Sequence, residues 1–332
     1  MHYRSVEDIN RAIVAKLHLL PRDLELIVGI PRSGLLAANL VALHLNLPLA
    51  DLDGYLEGRL LSGGVRFQGG NRRSGDVRAM RALVIDDSIH SGQAMGEATR
   101  RIQAAGLDRN VVYGCVFADP GAISRVDIHF AVCPMPRVFE WNLMHHSFLA
   151  KACVDIDGVL CRDPSEEEND DGPRYERFLT EVEPLVVPTV SLGWLVTCRL
   201  EKYRALTTAW LARQGIRYQE LVMMNYPSKA ARLAAGSHGT FKAAVYRKTD
   251  ALLFIESSLV QATDIARLTG RDVFCMETRE MLNPDRLAKV RRAVREPNAM
   301  VRPAVRMWVL RVRSRLKLRT RARRCLGLVL NK

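Results

Sequence analysis

Apolar and polar positions along the first half of the chain fall into segments typical of alternating helices and buried strands. An amphipathic pattern predicts a helix that is capped by Ser5 and ends near Leu20, and another helix is predicted over GLLAANLVALHL. Short apolar runs predict buried strands over LELIVGI, RALVIDD, VVYGCVFA and VDIHFAV. A Gly/Arg-rich loop is predicted over about residues 54–76, and a further helix ends near Ala105. This alternation indicates an α/β domain with a mainly parallel sheet.

The same alternation starts again after a seam near residues 148–151. Apolar runs predict strands over AKACVDID, LGWLVT, ALLFIES and DVFCME, and a helix is predicted over EKYRALTTAWLARQG. We therefore expect two α/β domains with mainly parallel sheets, over residues 1–148 and 149–285. Residues 286–332 form a third segment, because their composition differs from that of the rest of the chain.

Charge separates this C-terminal segment from the two predicted domains. The 332 residues have a formal net charge of +13 and are 48% hydrophobic, which is typical of a globular chain. Residues 286–332 hold 16 of the 49 lysines and arginines but only one of the 36 acidic residues. The net charge therefore belongs to this basic tail, and the remaining residues are close to neutral.

Some classes of protein are not expected from this composition. The N-terminal MHYRSVEDINRAIVAKL carries acidic residues and does not resemble a secretory signal peptide, and no run of about 18 apolar residues predicts a membrane-spanning helix. The seven cysteines form no CxxC pair and no cluster at zinc-ligand spacing. We therefore expect a reduced, cytoplasmic protein without a structural metal.

The stretch ALVIDDSIHSGQAM places two acidic residues at the end of a predicted strand, before a turn into a helix. Free N–H groups at a helix N-terminus favour an anion, Gly92 allows close backbone approach, and Ser88 and Ser91 add hydroxyl donors. The carboxylates of Asp86 and Asp87 are suited to the vicinal hydroxyls of a sugar beside that anion. A structural interpretation stays open, because strand ends often carry Asp, and Ser or Gly often caps the next helix.

Over roughly residues 1–148 the chain resembles the type I phosphoribosyltransferases. VIDDSIHSG resembles the motif of that family for phosphoribosyl pyrophosphate (PRPP), and VGIPRSG resembles its diphosphate loop. The resemblance implies that Asp86 and Asp87 bind the ribose hydroxyls and take part in catalysis. It also assigns binding of the 5-phosphate to the turn, which consists of Ser88, Ile89, His90, Ser91 and Gly92. Binding of the diphosphate is assigned to the earlier loop, which consists of Pro31, Arg32, Ser33 and Gly34.

The chemistry that the resemblance implies suits these residue types. Departure of diphosphate from PRPP leaves a ribosyl cation with oxocarbenium character, so the reaction depends on neutralising the leaving group more than on a strong base. Mg²⁺ and arginines provide that neutralisation, and a closing lid excludes water. The lid would be the Gly/Arg-rich loop with Arg66, Arg72 and Arg73, although arginines on a surface loop are also commonly only solvated.

The stretch CVDIDGVL places two acidic residues two positions apart at the end of another apolar run. On a strand this spacing directs both carboxylates to one face, where one can attack phosphorus and the other can protonate the leaving oxygen. The stretch closely resembles the first motif of the haloacid-dehalogenase-type (HAD) phosphatases, which implies a Rossmann-like fold. By that resemblance Asp155 is the nucleophile and Asp157 is the general acid and base.

Residues for binding the phosphate follow in the order of that family. The resemblance assigns this role to Thr197, at the end of LGWLVT, and to Lys242, while Lys248 and Lys229 stay open as alternatives to Lys242. The segment between the first two motifs is short, which predicts a minimal cap and an open pocket. Residues 169–172 are either a loop that becomes ordered near the pocket or a solvated acidic loop.

The last motif of that family departs from its usual form in this chain. FIESS stands where a second acidic pair is common. The resemblance then implies that Asp155, Asp157 and Glu256 hold Mg²⁺, with Ser257 or Ser258 assisting. The metal ligands are therefore less complete than the family pattern, whereas the nucleophile is retained.

The segment PRVFEWNLMHH lies near the end of the first predicted domain, close to the seam. Phe139 and Trp141 could stack on a base or a sugar face, and Glu140, His145 or His146 could accept a proton from an acceptor hydroxyl. Aromatic residues at such a position are as often part of a core between domains, so both interpretations stay open.

The basic tail combines its charge with an apolar stripe at helical spacing. The stripe consists of Val301, Val305, Trp308, Val309, Val312 and Leu316. A helix of this kind can lie on an anionic membrane, so we expect peripheral contact with the inner face of the cytoplasmic membrane. A strand over residues 309–319 and a solvated or partner-binding tail stay open. Nucleic acid is not expected as a partner, because the remaining residues are not basic.

Taken as a whole, the chain resembles the two-module ribofuranosyltransferases of bacterial capsule and O-antigen synthesis. The resemblance implies transfer of 5-phosphoribosyl from PRPP to a lipid-linked glycan acceptor, release of diphosphate, and removal of the 5-phosphate to leave a ribofuranosyl residue. One alternative is a nucleobase acceptor followed by dephosphorylation of the nucleotide. Another alternative, of a different class, is a PRPP-sensing regulatory module whose phosphatase is the only enzyme.

Overall fold

A computed structural model describes residues 1–61, 76–236 and 238–283 of the chain. The predicted lid with Arg66, Arg72 and Arg73 and the basic tail, residues 286–332, lie outside the described residues. Two compact units divide the chain, Met1–Leu143 and Met144–Lys332, while the domain limits expected from the sequence stay a prediction. Within the described ranges, none of the helices is long and apolar enough to cross a membrane.

The first unit combines parallel strands with helices on both faces of a sheet. Its strands are β1 (His2–Arg4), β2 (Leu26–Gly29), β3 (Leu49–Asp51), β4 (Ala82–Ile89), β5 (Val111–Ala118), β6 (Ile128–Val132) and β7 (Arg137–Phe139). Its α-helices are α1 (Val6–Lys16), α2 (Gly34–Leu45), α3 (Leu52–Leu56) and α4 (Gln93–Ala104). Ser5 is the N-cap of α1, as the sequence predicts, and accepts a hydrogen bond from the Asp8 N–H.

The larger sheet of the first unit has the strand order β3-β2-β4-β5-β6, and each neighbouring pair is parallel. Strands β1 and β7 form a separate parallel pair. The chain passes from β2 to β3 on one side and then returns to β4 on the other, so the strand order reverses between β2 and β4. In open parallel sheets, ligands bind beyond the carboxyl ends of the strands at such a reversal.

Alternation of side chains along the strands explains why helices cover both faces of this sheet. Ile27 of β2 belongs to a core cluster that includes Ile13 of α1. Its neighbour Val28 belongs to the opposite cluster, with Tyr55 of α3 and Ile102 of α4. Because successive residues of a strand point to opposite faces, a continuous apolar run such as LELIVGI buries both faces.

The second unit has a further sheet. Its described strands are β8 (Ala152–Val154), β9 (Leu192–Leu200), β10 (Tyr218–Met224), β11 (Leu253–Glu256), β12 (Val273–Cys275) and β13 (Glu280–Leu282). Its described α-helices are α5 (Pro173–Glu181), α6 (Arg204–Arg213), α7 (Lys229–Ala234), α8 (His238–Lys248) and α9 (Leu259–Thr269). The expected mixed α/β architecture with mainly parallel sheets is confirmed for both units.

The second sheet has the order β10-β9-β8-β11-β12-β13, and only the β12–β13 pair among these described strands is antiparallel. From β8 the chain adds β9 and β10 on one side and later β11 and β12 on the other. The reversal therefore lies between β8 and β11. Phe254 of β11 shares a core cluster with Tyr246 of α8 and Ile265 of α9, so these two helices cover one face.

Some element boundaries differ from those predicted from the sequence. Strand β10 was not predicted, because its first half carries the exposed residues Gln219 and Glu220 and it forms an edge of the sheet. Strand β9 continues to Leu200, so Thr197 lies inside the strand and not at its end. The loop predicted from residue 54 starts later, because α3 extends to Leu56.

Candidate functional site

The first candidate site lies at the carboxyl ends of β2 and β4, where the strand order reverses. The predicted diphosphate loop, residues 31–34, connects β2 to α2, and Ser33 is the N-cap of α2. The Ser33 Oγ donates a hydrogen bond of 2.9 Å to Asp87 Oδ1. This contact brings the predicted diphosphate loop against the predicted ribose carboxylates, although the two stretches are far apart in the sequence.

Asp86 and Asp87 occupy the last part of β4 and are largely removed from water. Asp87 is 5% exposed, and Asp86 Oδ1 accepts a 2.8 Å hydrogen bond from the Asp87 N–H. Burial, and then the neighbouring charge of Asp87, raise the pKa of Asp86 to about 8. Near neutral pH, Asp86 therefore carries a proton and can donate a hydrogen bond as well as accept one.

The turn after β4 has the geometry of an anion cradle at the start of α4. Gly92 is the N-cap of α4 and has φ of 75°, a conformation that glycine adopts without strain. The Ser91 Oγ accepts a 3.3 Å hydrogen bond from the Gln93 N–H. Arg125 donates from Nη1 to the Ser91 carbonyl at 2.5 Å, and a Cβ on Gly92 would lie 2.8 Å from Arg125 Cδ. No sequence motif pointed to Arg125, because it belongs to a separate 3₁₀ segment.

The other members of the predicted PRPP-binding set differ in exposure. Ser88 and Ile89 end β4, and Ile89 is buried at 3% exposure, so that only its backbone can meet a ligand. His90 is exposed, with Nδ1 3.7 Å from Asp119 Oδ2. In the earlier loop, Arg32 is exposed beside Ser33, where its side chain can reach a ligand.

The predicted acceptor residues have several different contacts. Phe139 and Trp141 stack on each other, with ring centroids 4.6 Å apart, and both are partly buried against the first core cluster. Glu140 Oε2 accepts a 2.9 Å hydrogen bond from the Val6 N–H. His145 belongs to the second unit, and its Nδ1 lies 3.3 Å from a threonine hydroxyl.

The second candidate site lies at the reversal between β8 and β11. Asp155 follows β8, and Glu256 ends β11. Lys242 of α8 joins them, with Nζ 2.5 Å from Asp155 Oδ2 and 2.7 Å from Glu256 Oε2. Lys242 Nζ also lies 2.9 Å from Gln261 Oε1, and the three charged residues are at most 4% exposed. These contacts form a dry ionic cluster around the predicted nucleophile.

Lys242 is the lysine that contacts the predicted nucleophile. Burial alone would lower the pKa of the Lys242 ammonium, but the charges of Asp155 and Glu256 outweigh burial and raise this pKa above its ordinary value. Of the two alternatives, Lys248 is exposed at the end of α8, and Lys229 donates from Nζ to the Asn169 carbonyl. A cationic Lys242 is suited to binding a phosphate oxygen.

Asp157 lies in the turn beyond β8 and not on the strand, so alternation along a strand does not set its direction. Its carboxylate is held by Arg199, with Nη2 2.6 Å from Oδ1 and Nε 3.1 Å from Oδ2. Arg199 is fully buried, and its Nη2 also lies 3.2 Å from Cys161 Sγ. The sequence reasoning missed Arg199, although it stands two positions after Thr197 on the same strand. On a strand, residues two positions apart point to the same face, so this spacing could have indicated that Arg199 lies near Thr197.

The remaining second-site predictions lie close to this cluster. Thr197 is fully buried, and its Oγ1 accepts a 3.2 Å hydrogen bond from the Arg199 N–H. Gly158 of the DGVL stretch has φ of 76°, and a Cβ there would lie 2.4 Å from Ser257 Cβ. The first and last motifs are therefore in direct contact, and Ser257 donates to Glu256 Oε1 at 3.2 Å.

Residues 169–172 are ordered by contacts with two other segments. Asp171 accepts hydrogen bonds from the Tyr203 hydroxyl at 3.0 Å and from the Lys229 N–H at 2.9 Å. Lys202 Nζ lies 2.9 Å from Asp171 Oδ1. Asp171 is therefore bound on both carboxylate oxygens, and whether this loop lies near the pocket stays a prediction.

Carboxylate oxygens in both sites match the ligand preference of Mg²⁺. In the second unit, Asp155 and Glu256 lie side by side, since both contact Lys242 Nζ. Asp157 faces Arg199 instead, and no group of three His, Cys, Asp or Glu residues in the described part of the chain is arranged as a ready metal cluster. The donor chemistry fits Mg²⁺ at Asp155 and Glu256, with Asp157 paired to an arginine.

Comparison with known proteins finds a family match for the N-terminal part of the chain. Residues 2–151 match the family model described as phosphoribosyl transferase domain. Similar solved structures include the purine phosphoribosyltransferase of Pyrococcus horikoshii Ot3, with 19% identity, 42% of this chain and 92% of that chain covered, and a TM-score of 0.32. The xanthine-guanine-hypoxanthine phosphoribosyltransferase of Helicobacter pylori is also similar, with 17% identity, coverage of 43% and 92%, and a TM-score of 0.32. A comparison with curated proteins gives no match.

The raised pKa of Asp86 predicts a pH dependence of stability. The unfolded chain loses this proton near the ordinary value of 3.8, whereas the folded chain keeps it up to about 8. Between these values the folded state binds more protons, so Asp86 makes stability fall as the pH rises. We expect Asp86→Asn to flatten this slope in urea unfolding followed by circular dichroism between about pH 5 and pH 8. Asp108→Asn, at an exposed position of the same unit, should leave the slope unchanged, and equal slopes for Asp86→Asn and the unmodified chain would contradict the assignment.

Proposed function

We propose that the chain transfers the 5-phosphoribosyl group of PRPP to a glycan acceptor and then removes the 5-phosphate. The product is a ribofuranosyl residue, as in capsule or O-antigen synthesis. The observation that carries the two-reaction proposal is the buried Asp155–Lys242–Glu256 cluster, which adds a second reactive centre to a chain whose residues 2–151 match a phosphoribosyl transferase domain.

The first reaction uses the site at the ends of β2 and β4. The turn of residues 88–92 binds the 5-phosphate through N–H and hydroxyl groups, and Asp86 and Asp87 bind the ribose hydroxyls. The C1–oxygen bond of PRPP breaks and diphosphate leaves, while residues 31–34 bind its oxygens. An acceptor hydroxyl attacks C1 and gives its proton to solvent water. The Ser33–Asp87 hydrogen bond supports this assignment, because it links the ribose and diphosphate ends of the site.

The second reaction uses Asp155 as nucleophile. Its carboxylate attacks phosphorus, and the bond from phosphorus to the 5-oxygen of the ribose breaks while Asp157, in its protonated form, gives that oxygen a proton. Water then attacks the aspartyl phosphate, loses a proton to Asp157, and releases phosphate with Asp155 restored. Lys242 and Thr197 bind the phosphate oxygens during both steps, and Arg199 orients Asp157.

Mg²⁺ is the cofactor that both proposed reactions share. In the second unit Asp155 and Glu256 would hold it, while Asp157 stays with Arg199. When bound, Mg²⁺ supplies positive charge opposite the phosphate and diphosphate oxygens. The side chains named for the two reactions bind and orient the substrates, and they move the protons.

A nucleobase is the second candidate for the acceptor. The stacked rings of Phe139 and Trp141 remain partly accessible, and a flat heterocycle could stack against them. In that case the phosphatase would act on the resulting nucleotide. A regulatory alternative, in which PRPP is only sensed, predicts binding of PRPP without its consumption.

The transfer proposal predicts the effect of removing both ribose carboxylates. In Asp86→Asn/Asp87→Asn, PRPP consumption with oligosaccharide or nucleobase acceptors should fall by about 100-fold or more, because the ribose is no longer positioned. Diphosphate release and product mass report the reaction and distinguish the acceptors. Phosphate release from ribose 5-phosphate should persist, since it belongs to the second unit. Normal PRPP consumption by the double variant would show that the site has been misassigned.

The hydrolysis proposal predicts an intermediate in Asp155→Asn. This variant keeps the shape of the side chain but lacks the attacking charge, so an acceptor product that still carries the 5-phosphate should accumulate. Mass spectrometry of the product measures this, and PRPP consumption serves as the internal control. A fully dephosphorylated product from Asp155→Asn would exclude Asp155 as the nucleophile.

The basic tail supports a peripheral membrane contact, which would bring the enzyme to a lipid-linked acceptor. Each nearby Lys or Arg contributes about 1 kcal/mol to binding an anionic surface before screening by salt. A chain ending near Pro284 should therefore keep both reactions on soluble acceptors but lose sedimentation with anionic vesicles. Neutral vesicles at low salt and an RNA competitor are the controls. Tight RNA binding by the full chain, without binding to anionic vesicles, would refute the membrane proposal.

A further inference from the structure

Arg232 is a second buried guanidinium beside the phosphatase-like site, and no sequence motif pointed to it. It lies on α7 and is 8% exposed. Its Nη1 donates a 2.7 Å hydrogen bond to the Cys198 carbonyl. Its Nε is also buried but has no hydrogen-bond partner among the described residues. A buried N–H group without a partner is costly, and each such group in a native protein calls for an explanation, such as a water, an ion or a ligand.

The charge of Arg232 is also uncompensated, unlike that of the other buried cations nearby. Arg199 pairs with Asp157, and Lys242 pairs with two carboxylates. Within the part of the chain that the structure describes, Arg232 forms no ion pair with a carboxylate. A buried charge without a counter-charge strongly disfavours the folded state unless an anion binds to it.

The position of Arg232 relates it to the predicted nucleophile. Cys198, whose carbonyl it binds, stands between Thr197 and Arg199 on β9. Cys198 is partly buried, and its thiol lies within the electrostatic reach of Lys242, Asp155, Glu256 and Arg232. Burial, followed by the positive charges of Arg232 and Lys242, also lowers the pKa of His238. Arg232 and Lys242 therefore act on the same small region of the second unit.

We propose that Arg232 binds an oxygen of the substrate's phosphate group in the second unit, with its Nε as the donor. This inference rests on the proposed function, because it takes the anion to be the phosphate monoester that Asp155 attacks. The phosphate supplies the missing counter-charge, and the fixed guanidinium supplies a charge-assisted hydrogen bond. Binding of the Cys198 carbonyl keeps the guanidinium in place before the substrate arrives.

The test compares Arg232→Gln and Arg232→Lys in the full chain, with ribose 5-phosphate as substrate and inorganic phosphate as inhibitor. Arg217→Gln is the matched control, because Arg217 also donates to a backbone carbonyl but is exposed. Arg232→Gln should raise both KM and the inhibition constant of phosphate about tenfold or more. Arg232→Lys should lie between Arg232→Gln and the unmodified chain, and Arg217→Gln should change neither value. Unchanged KM and inhibition constants in Arg232→Gln would overturn the proposal.

A purely structural role of Arg232 gives a different pattern. If Arg232 serves to bind phosphate, replacing it removes an uncompensated buried charge, and the free protein should be at least as stable toward urea as the unmodified chain. If Arg232→Gln unfolds the protein while Arg232→Lys keeps the inhibition constant at the unmodified value, Arg232 only fastens α7 to β9 and the proposal is wrong. If Arg232→Gln unfolds the protein but Arg232→Lys raises this constant, the proposal is supported.

Failure of the proposed function can be recognised separately. If the unmodified chain releases no phosphate from ribose 5-phosphate, the phosphatase proposal fails. Calorimetric binding of inorganic phosphate to the unmodified chain, Arg232→Gln and Arg217→Gln then tests Arg232 alone. Phosphate bound in the first unit is the same in all three proteins and cancels in the comparison. Loss of one phosphate site in Arg232→Gln alone supports the inference, and equal binding by all three refutes it.

Discussion

A buried ammonium group between two buried carboxylates holds the second candidate site together. Asp155, Lys242 and Glu256 come from a strand end, a helix and another strand end, and none of them could be buried alone without a cost of several kcal/mol. Because the shared ammonium offsets part of the charge of both carboxylates, β8 and β11 can each be followed by or end in a buried carboxylate. The same contacts fix the direction of the Asp155 carboxylate before any substrate is bound, which is what a nucleophile requires.

Both units use one property of parallel sheets, namely that side chains from separate segments meet where the strand order reverses. The two sites differ in the charged groups that line them. The first presents N–H groups, hydroxyls and a carboxyl pair in which burial raises the pKa of Asp86, as suits a sugar beside a phosphate. The second presents ion pairs in a dry environment, as suits attack on phosphorus. This difference is the physical basis for proposing two reactions in one chain.

The cations of the second site are not equivalent. Lys242 is shared by two carboxylates, and Arg199 holds the carboxylate of Asp157 by two nitrogens. Among the described residues around this site, Arg232 is the buried cation that has no acidic partner. At the nucleophile one ammonium faces two carboxylates, whereas Arg232 next to it is positive, and under the proposed function this asymmetry would favour the approach of a phosphate monoester along the side of β9 and α7.

Local patterns in the sequence were sufficient to predict the alternation of strands and helices and the two acidic strand ends, since these features depend on neighbouring residues. They were not sufficient to predict β10, because its exposed edge position removes the apolar pattern of a buried strand. They also did not predict the direction of the Asp157 side chain, because Asp157 lies in a turn. The partners of Asp155 and Asp157 lie 87 and 42 positions away, at Lys242 and Arg199. Only the strand order decides which charged side chains share a buried space, and no local periodicity encodes that order.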